Sequence, residues 1–193
     1  MAAVRFFPGI VAILVLAACS EQADLPRRDV IELNATFDAD FDLVDANGDA
    51  ATDERFEGKP MLIYYGFTAC PDVCPAALGA MTATLDGLGK DAAKVQPLFI
   101  TVDPKRDTPD RLKDHLAYDG RILGLTGTDE ALTAGRKAMN VYAKEVPLEN
   151  SAMTYTVDHQ RLFYITDKAG APIYALPDTT PTDTIVALLR EQL

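Results

Sequence analysis

Met61-Leu62-Ile63-Tyr64-Tyr65-Gly66-Phe67 is a continuous apolar run of strand length, and Thr68-Ala69 leads it directly into Cys70-Pro71-Asp72-Val73-Cys74-Pro75. A run without polar alternation suits a strand buried on both faces, which exists only in a sheet covered by other elements. Pro75 opens a helix in which Leu78, Met81, Leu85 and Leu88 recur at helical spacing, and Gly89 fits its end. Two thiols therefore stand at a strand-to-helix junction. There the helix dipole and unpaired N–H groups stabilise a thiolate.

The rest of the chain continues this alternation. Residues 95–102 (VQPLFITV) form a second buried-strand candidate. Thr108-Pro109-Asp110 supplies a helix start, with a hydroxyl cap, proline at the first helical position and an acid in the first turn; that helix should reach about residue 118. Residues 122–125 read as a short strand, and Thr128-Asp129-Glu130 starts a third helix expected to extend to about residue 142. Residues 143–153 look irregular and lead into Tyr155-Thr156-Val157-Asp158-His159. Two apolar runs, 161–166 and 172–176, flank Asp167-Lys168-Ala169-Gly170 as a hairpin, and Thr180-Pro181 is expected to cap a final helix. Upstream, Phe41-Asp42-Leu43-Val44 begins a strand, and Asn47-Gly48 predicts a type I′ turn with positive φ at both positions. The same acidic stretch fails as a calcium loop, because Ala50 and Phe56 stand where glycine and glutamate are needed. Strands alternating with helices imply an α/β fold with a central mixed sheet flanked by helices, preceded by an N-terminal hairpin.

The N-terminus speaks to compartment. Arg5 precedes an apolar stretch over residues 6–18, shorter than the roughly 20 residues a membrane span requires and suited to a signal-peptide core. Leu16-Ala17-Ala18-Cys19 has the form of a lipobox, in which cleavage before Cys19 is followed by attachment of a thioether-linked diacylglycerol; the alternative is an ordinary secretory signal with an incidental cysteine. The expected layout is a signal peptide at 1–18, a polar tether at 19–35 and one domain at 36–193, lipid-anchored to a membrane of a bacterial cell envelope and facing the periplasm. Ser20 leaves the choice of membrane open. A net charge of −11 repels phosphate backbones and argues against nucleic-acid binding.

Of three cysteines the lipobox takes one, so the chemistry falls on Cys70 and Cys74. The pair could close as a disulfide or grip one ion, although a four-residue spacing is a poor place for a structural staple. Two thiolates alone suit a soft ion such as Cu(I), while Cu(II) calls for a further ligand, preferably imidazole. The chain has two histidines. His115 sits among charges on a helix and reads as a solvated side chain; a lone histidine is more often a surface or core residue than a ligand, and if the site uses a histidine it is His159. Asp158 and His159 do not suggest a hydrolytic dyad, since neighbours on an extended segment point to opposite faces.

At this point the residues resemble a known family. Gly66 to Pro75 (GFTACPDVCP) is similar to the signature of the Sco/SenC proteins, copper chaperones for cytochrome oxidase assembly. Residues 101–109 (TVDPKRDTP) and 155–159 (YTVDH) resemble the family's second and third blocks, in the same order. The resemblance spans about residues 41–193. It implies a thioredoxin-like fold with hairpin and helical insertions, copper held by Cys70, Cys74 and His159, and Asp72 shaping the motif loop. It also implies a partner, the copper-binding subunit of cytochrome c oxidase with its binuclear copper (CuA) site, alongside other copper donors and acceptors. The lipobox departs from relatives held by a transmembrane helix. Asp103 and the Arg106-Asp107 pair read as loop-fixing or partner-facing. The competing reading is a thiol–disulfide oxidoreductase using Cys70 and Cys74 to keep the oxidase cysteines reduced; a redox or copper sensor is a third.

Overall fold

The computed structural model describes residues 29–33, 39–149 and 151–193; the leader, Cys19 and most of the expected tether lie outside them. In chain order the elements are β1 (Ile31–Glu32), β2 (Asp42–Asp45), β3 (Ala50–Thr52), β4 (Met61–Gly66), α1 (Val73–Leu88), β5 (Gln96–Thr101), α2 (Pro109–Leu116), β6 (Leu123–Thr126), α3 (Asp129–Ala138), β7 (Ala143–Pro147), β8 (Tyr155–His159), β9 (Leu162–Thr166), β10 (Pro172–Pro177) and α4 (Thr182–Glu191). Eight strands form one mixed sheet in the order β1-β10-β9-β4-β5-β6-β2-β3, with β4, β5 and β6 parallel and the other pairings antiparallel. Helices flank it: α1 packs against α4, α2 against β6 and α3 against β2. This is the α/β sheet expected from the alternating pattern. β4 lies near its middle with all six residues buried, which is why its sequence carries no polar alternation.

Local structure departs from expectation at six places. Ile31 and Glu32 pair with Ala175 and Tyr174, so the C-terminal part of the expected tether is an edge strand covering β10. In the β2–β3 hairpin Gly48 alone takes a positive φ (+84°), and Asp45 does the rest: its Oδ1 accepts from the N–H groups of Asn47 (2.8 Å) and Asp49 (3.1 Å). The result is a three-residue loop with glycine at the left-handed position in place of a type I′ turn. Helix α1 begins at Val73, ahead of Pro75, which places Cys74 inside the first turn. Helix α3 stops at Ala138, short of residue 142, because Asn140 enters the left-handed region (φ +52°). Residues 143–147, expected to be irregular, form β7 and pair with β8 as a separate two-stranded ribbon; β7 is mostly exposed, so no apolar period marked it. Before α4 no side chain caps the helix, and the Thr180 hydroxyl is buried without a partner.

The carboxyl ends of parallel strands are where open α/β sheets place their sites, and here a buried carboxylate joins two of them. Asp107, with no exposed surface, follows β5. Its Oδ2 accepts from Thr68 N (3.0 Å) and Thr101 Oγ1 (2.6 Å), and its Oδ1 from Thr68 Oγ1 (2.6 Å). Thr68 lies between β4 and Cys70, so the thiol loop is fastened to the neighbouring strand. In Asp107→Asn the amide NH2 meets donors where acceptors stood, leaving a buried donor unpaired. The variant is expected to lose about 1–3 kcal/mol of stability, read by urea denaturation; an unchanged midpoint would show the fastening to be dispensable.

Candidate metal centre

Each site residue is placed by backbone that the sequence determines locally. Gly66 ends β4 where a Cβ would stand 2.7 Å from Phe99 and 3.1 Å from Cys74 Sγ. Only glycine lets the first turn of α1 come so close to the strand. Cys74 therefore lies fully buried, with no exposed surface, while Cys70, ahead of the helix, keeps 8 %. Cys70 Sγ accepts the backbone N–H of Cys74 at 3.4 Å, and neither cysteine is disulfide-bonded.

His159, the last residue of β8, comes to the same place from the other side of the sequence. Its Nε2 lies 3.9 Å from Cys74 Sγ. Its Nδ1 lies 2.9 Å from the Gln160 carbonyl oxygen, an acceptor only, so Nδ1 carries the proton and Nε2 turns its lone pair toward the sulfur. The ring meets Tyr64 (6.2 Å between centroids) and Phe67 (5.9 Å) edge-to-face, an aromatic setting that holds its plane. A cleft of about 170 Å³ bordered by Phe67, Cys70, Pro71, Val157, Asp158 and His159 opens the site to solvent. Asp158 is exposed at the rim of the cleft.

Burial dominates the electrostatics. Desolvation pushes the Cys74 thiol well above the usual range, and the backbone hydrogen bond at Phe67 offsets this only in part. The expected thiolate stabilisation by the helix terminus is thus overruled at Cys74. Desolvation likewise depresses the imidazole of His159, so it stays neutral to lower pH than a free histidine. The site is a protonated thiol facing a neutral imidazole. An ion taken up here displaces the thiol proton. Thiolate and imidazole bonds of about 2.3 and 2.0 Å together exceed the 3.9 Å gap, so one ion fits between Cys74 and His159. Among the described residues no group of three or more His, Cys, Asp or Glu side chains already stands as a formed coordination sphere. What the fold presents is a sulfur–nitrogen pair with a second sulfur engaged on the backbone beside it.

The other histidine is not the solvated side chain expected. His115 is half-buried against Phe99 (6.1 Å), its Nε2 is buried without a partner, and desolvation lowers its pKa; it takes no part in the cleft. Phe67 and Tyr64 were legible only as strand residues, because their role as walls for the imidazole depends on where β8 returns. The thiols are expected to differ in reactivity. In the reduced protein at pH 7, iodoacetamide should modify Cys70 well ahead of Cys74, with the Cys74 rate climbing as pH rises; mass spectrometry of timed samples reads both, and equal rates would contradict the burial argument.

Comparison with known proteins places the chain in a family. The SCO1/SenC family model matches residues 30–193. A SCO2-like protein of Rickettsia conorii is 31 % identical over 185 residues, covering 95 % of this chain and 90 % of that protein. ScoI of Bradyrhizobium japonicum, solved with copper bound, is 39 % identical with a TM-score of 0.75, covering 81 % of this chain and 99 % of its own. The fold is also shared with BsSco, described as a member of the Sco family of cytochrome c oxidase assembly proteins with a disulfide switch, at 22 % identity and a TM-score of 0.66 over 84 % of this chain and 96 % of its own. The fold is thioredoxin-like, and this chain belongs to the SCO1/SenC family.

Proposed function

We propose that this protein is a copper metallochaperone, which holds copper on Cys70, Cys74 and His159 and delivers it to the binuclear copper site of a cytochrome c oxidase subunit during assembly. The observation that carries the reading is the 3.9 Å approach of His159 Nε2 to Cys74 Sγ, with Nδ1 tied back on Gln160 so that the free lone pair faces the sulfur. Soft sulfur ligands select copper in its Cu(I) form, and an added imidazole accommodates Cu(II). Solved copper-bound relatives support the choice of ion. Three ligands leave the ion open on the cleft side, as transfer to a second protein demands. In this reading Cys19 carries a lipid anchor, and the residues following it lift the domain off the membrane toward the periplasmic partner.

The second reading, a thiol–disulfide reductant acting on the oxidase cysteines, draws on the closeness of Cys70 Sγ to the first turn that bears Cys74. It needs both thiols and has no use for His159. Titrating copper into the reduced mature chain is expected to give about one ion per chain. Removal of either cysteine, or of His159, should weaken binding by more than the 10–100-fold typical of residues that merely support a ligand. In cells, His159→Ala should abolish oxidase assembly with thiol exchange intact; normal assembly in that variant would favour the reductant.

A further inference from the structure

The ribbon β7–β8, which carries His159, hydrogen-bonds within itself and is not part of the main sheet. A two-stranded ribbon has little stability alone, so something on the body of the domain must hold it if His159 is to stay opposite Cys74. That something is found in the loop after β5, the same loop whose Asp107 fastens the thiol segment. The Arg106 guanidinium lies over the Tyr155 ring, 3.9 Å from its centroid, and Nη1 donates to the Tyr155 carbonyl at 3.2 Å. Arg106 Nε donates to Asp103 Oδ2, and Asp103 Oδ1 accepts from Tyr155 Oη at 2.8 Å. Asp103 is 2 % exposed, so its charge is compensated by Arg106 and not by water. Arg106 also lies 5.6 Å from the centroid of Phe67, the ring that meets the His159 imidazole edge-on. Its Nη2 is buried without a partner, so stacking and the paired nitrogens keep the group in place. The Lys105–Glu145 ion pair also joins this loop to the ribbon, but both side chains are about half exposed and such pairs contribute little.

We propose that Arg106, with Asp103 and Tyr155, is a positioning clamp that holds the ribbon against the thiol loop and thereby sets the separation of His159 and Cys74. Its consequence for metal binding rests on the reading of the site given above; its existence as a clamp does not. One loop of the chain thus registers both halves of the site, Asp107 holding the sulfurs and Arg106 the imidazole. Arginine is required because a planar guanidinium stacks on one ring while directing separate N–H groups to a carbonyl and a carboxylate, which an ammonium does not reproduce.

Two measurements on the mature chain test this. In the metal-free protein, Arg106→Gln should raise amide hydrogen exchange in peptides covering residues 143–159 by about tenfold, the scale of a desolvated cation–π contact, with β4 and α1 unchanged. Tyr155→Phe keeps the stack and removes only the hydrogen bond to Asp103, so it should act in the same direction with a smaller effect; it also serves if Arg106→Gln does not fold. In the copper titration, Arg106→Gln should weaken binding by about 10–100-fold, yet cost nothing further when introduced into His159→Ala, because the clamp acts through that imidazole. Unchanged ribbon exchange in the folded variants would overturn the proposal, as would an equal copper penalty with and without His159. Absence of copper binding by the unmutated chain would overturn the function proposed above, while the exchange measurement still decides the clamp.

Discussion

The buried carboxylate of Asp107 is the constraint on which the rest of this molecule turns. Parallel strands β4 and β5 end side by side, and each would release its chain into solvent. Asp107 instead accepts hydrogen bonds from Thr68 and Thr101, and its own carbonyl accepts from Thr126 Oγ1 at 2.8 Å, so three consecutive parallel strands share one anchor. With the thiol loop fixed, Gly66 can bring α1 down until Cys74 touches the strand. A buried ionic group fully supplied with donors is costly to create and more costly to disrupt, which suits a point that must not move.

What the anchor creates is a sulfur that is poor at ionising. Helix N-termini usually favour thiolates, but the dipole acts on Cys74 from within a packed environment, and desolvation outweighs it. A neutral thiol beside a neutral imidazole leaves no uncompensated charge in the free protein. An ion bound as proposed would release the Cys74 proton, linking occupancy to pH, and the protonated thiol avoids the penalty of an isolated buried thiolate.

The imidazole is held by a different kind of structure. The sulfurs sit on the loop and first helical turn that follow the central strand β4, whereas His159 ends a separate ribbon held to the body by side chains, Tyr155 and the buried Val157 among them. The proposed ligands thus stand on two different supports, a loop and helix beside the central strand and a separate two-stranded ribbon. Local stability is uneven in this way wherever few backbone hydrogen bonds join a segment to the core.

Much of this was written in the sequence. The unbroken run of β4, the helical spacing after Cys74, the caps at Thr108 and Thr128 and the hairpin around Gly170 are local patterns, and local patterns survive projection onto one dimension. The cysteine pair and the scarcity of histidine mark candidate residues, and it is the family resemblance that joins Cys70, Cys74 and His159 into one proposed site. The ribbon was not legible, because Lys144, Glu145 and Val146 are exposed and carry no period, and their pairing with β8 is a tertiary outcome. Nor was the half-buried state of His115, which depends on how α2 lies over Phe99. The order of residues fixes which atoms are available and in what local frames. That a sulfur and a nitrogen far apart in the chain face each other across 3.9 Å, and that burial holds the thiol protonated, follows from packing, because proximity and desolvation belong to no single segment.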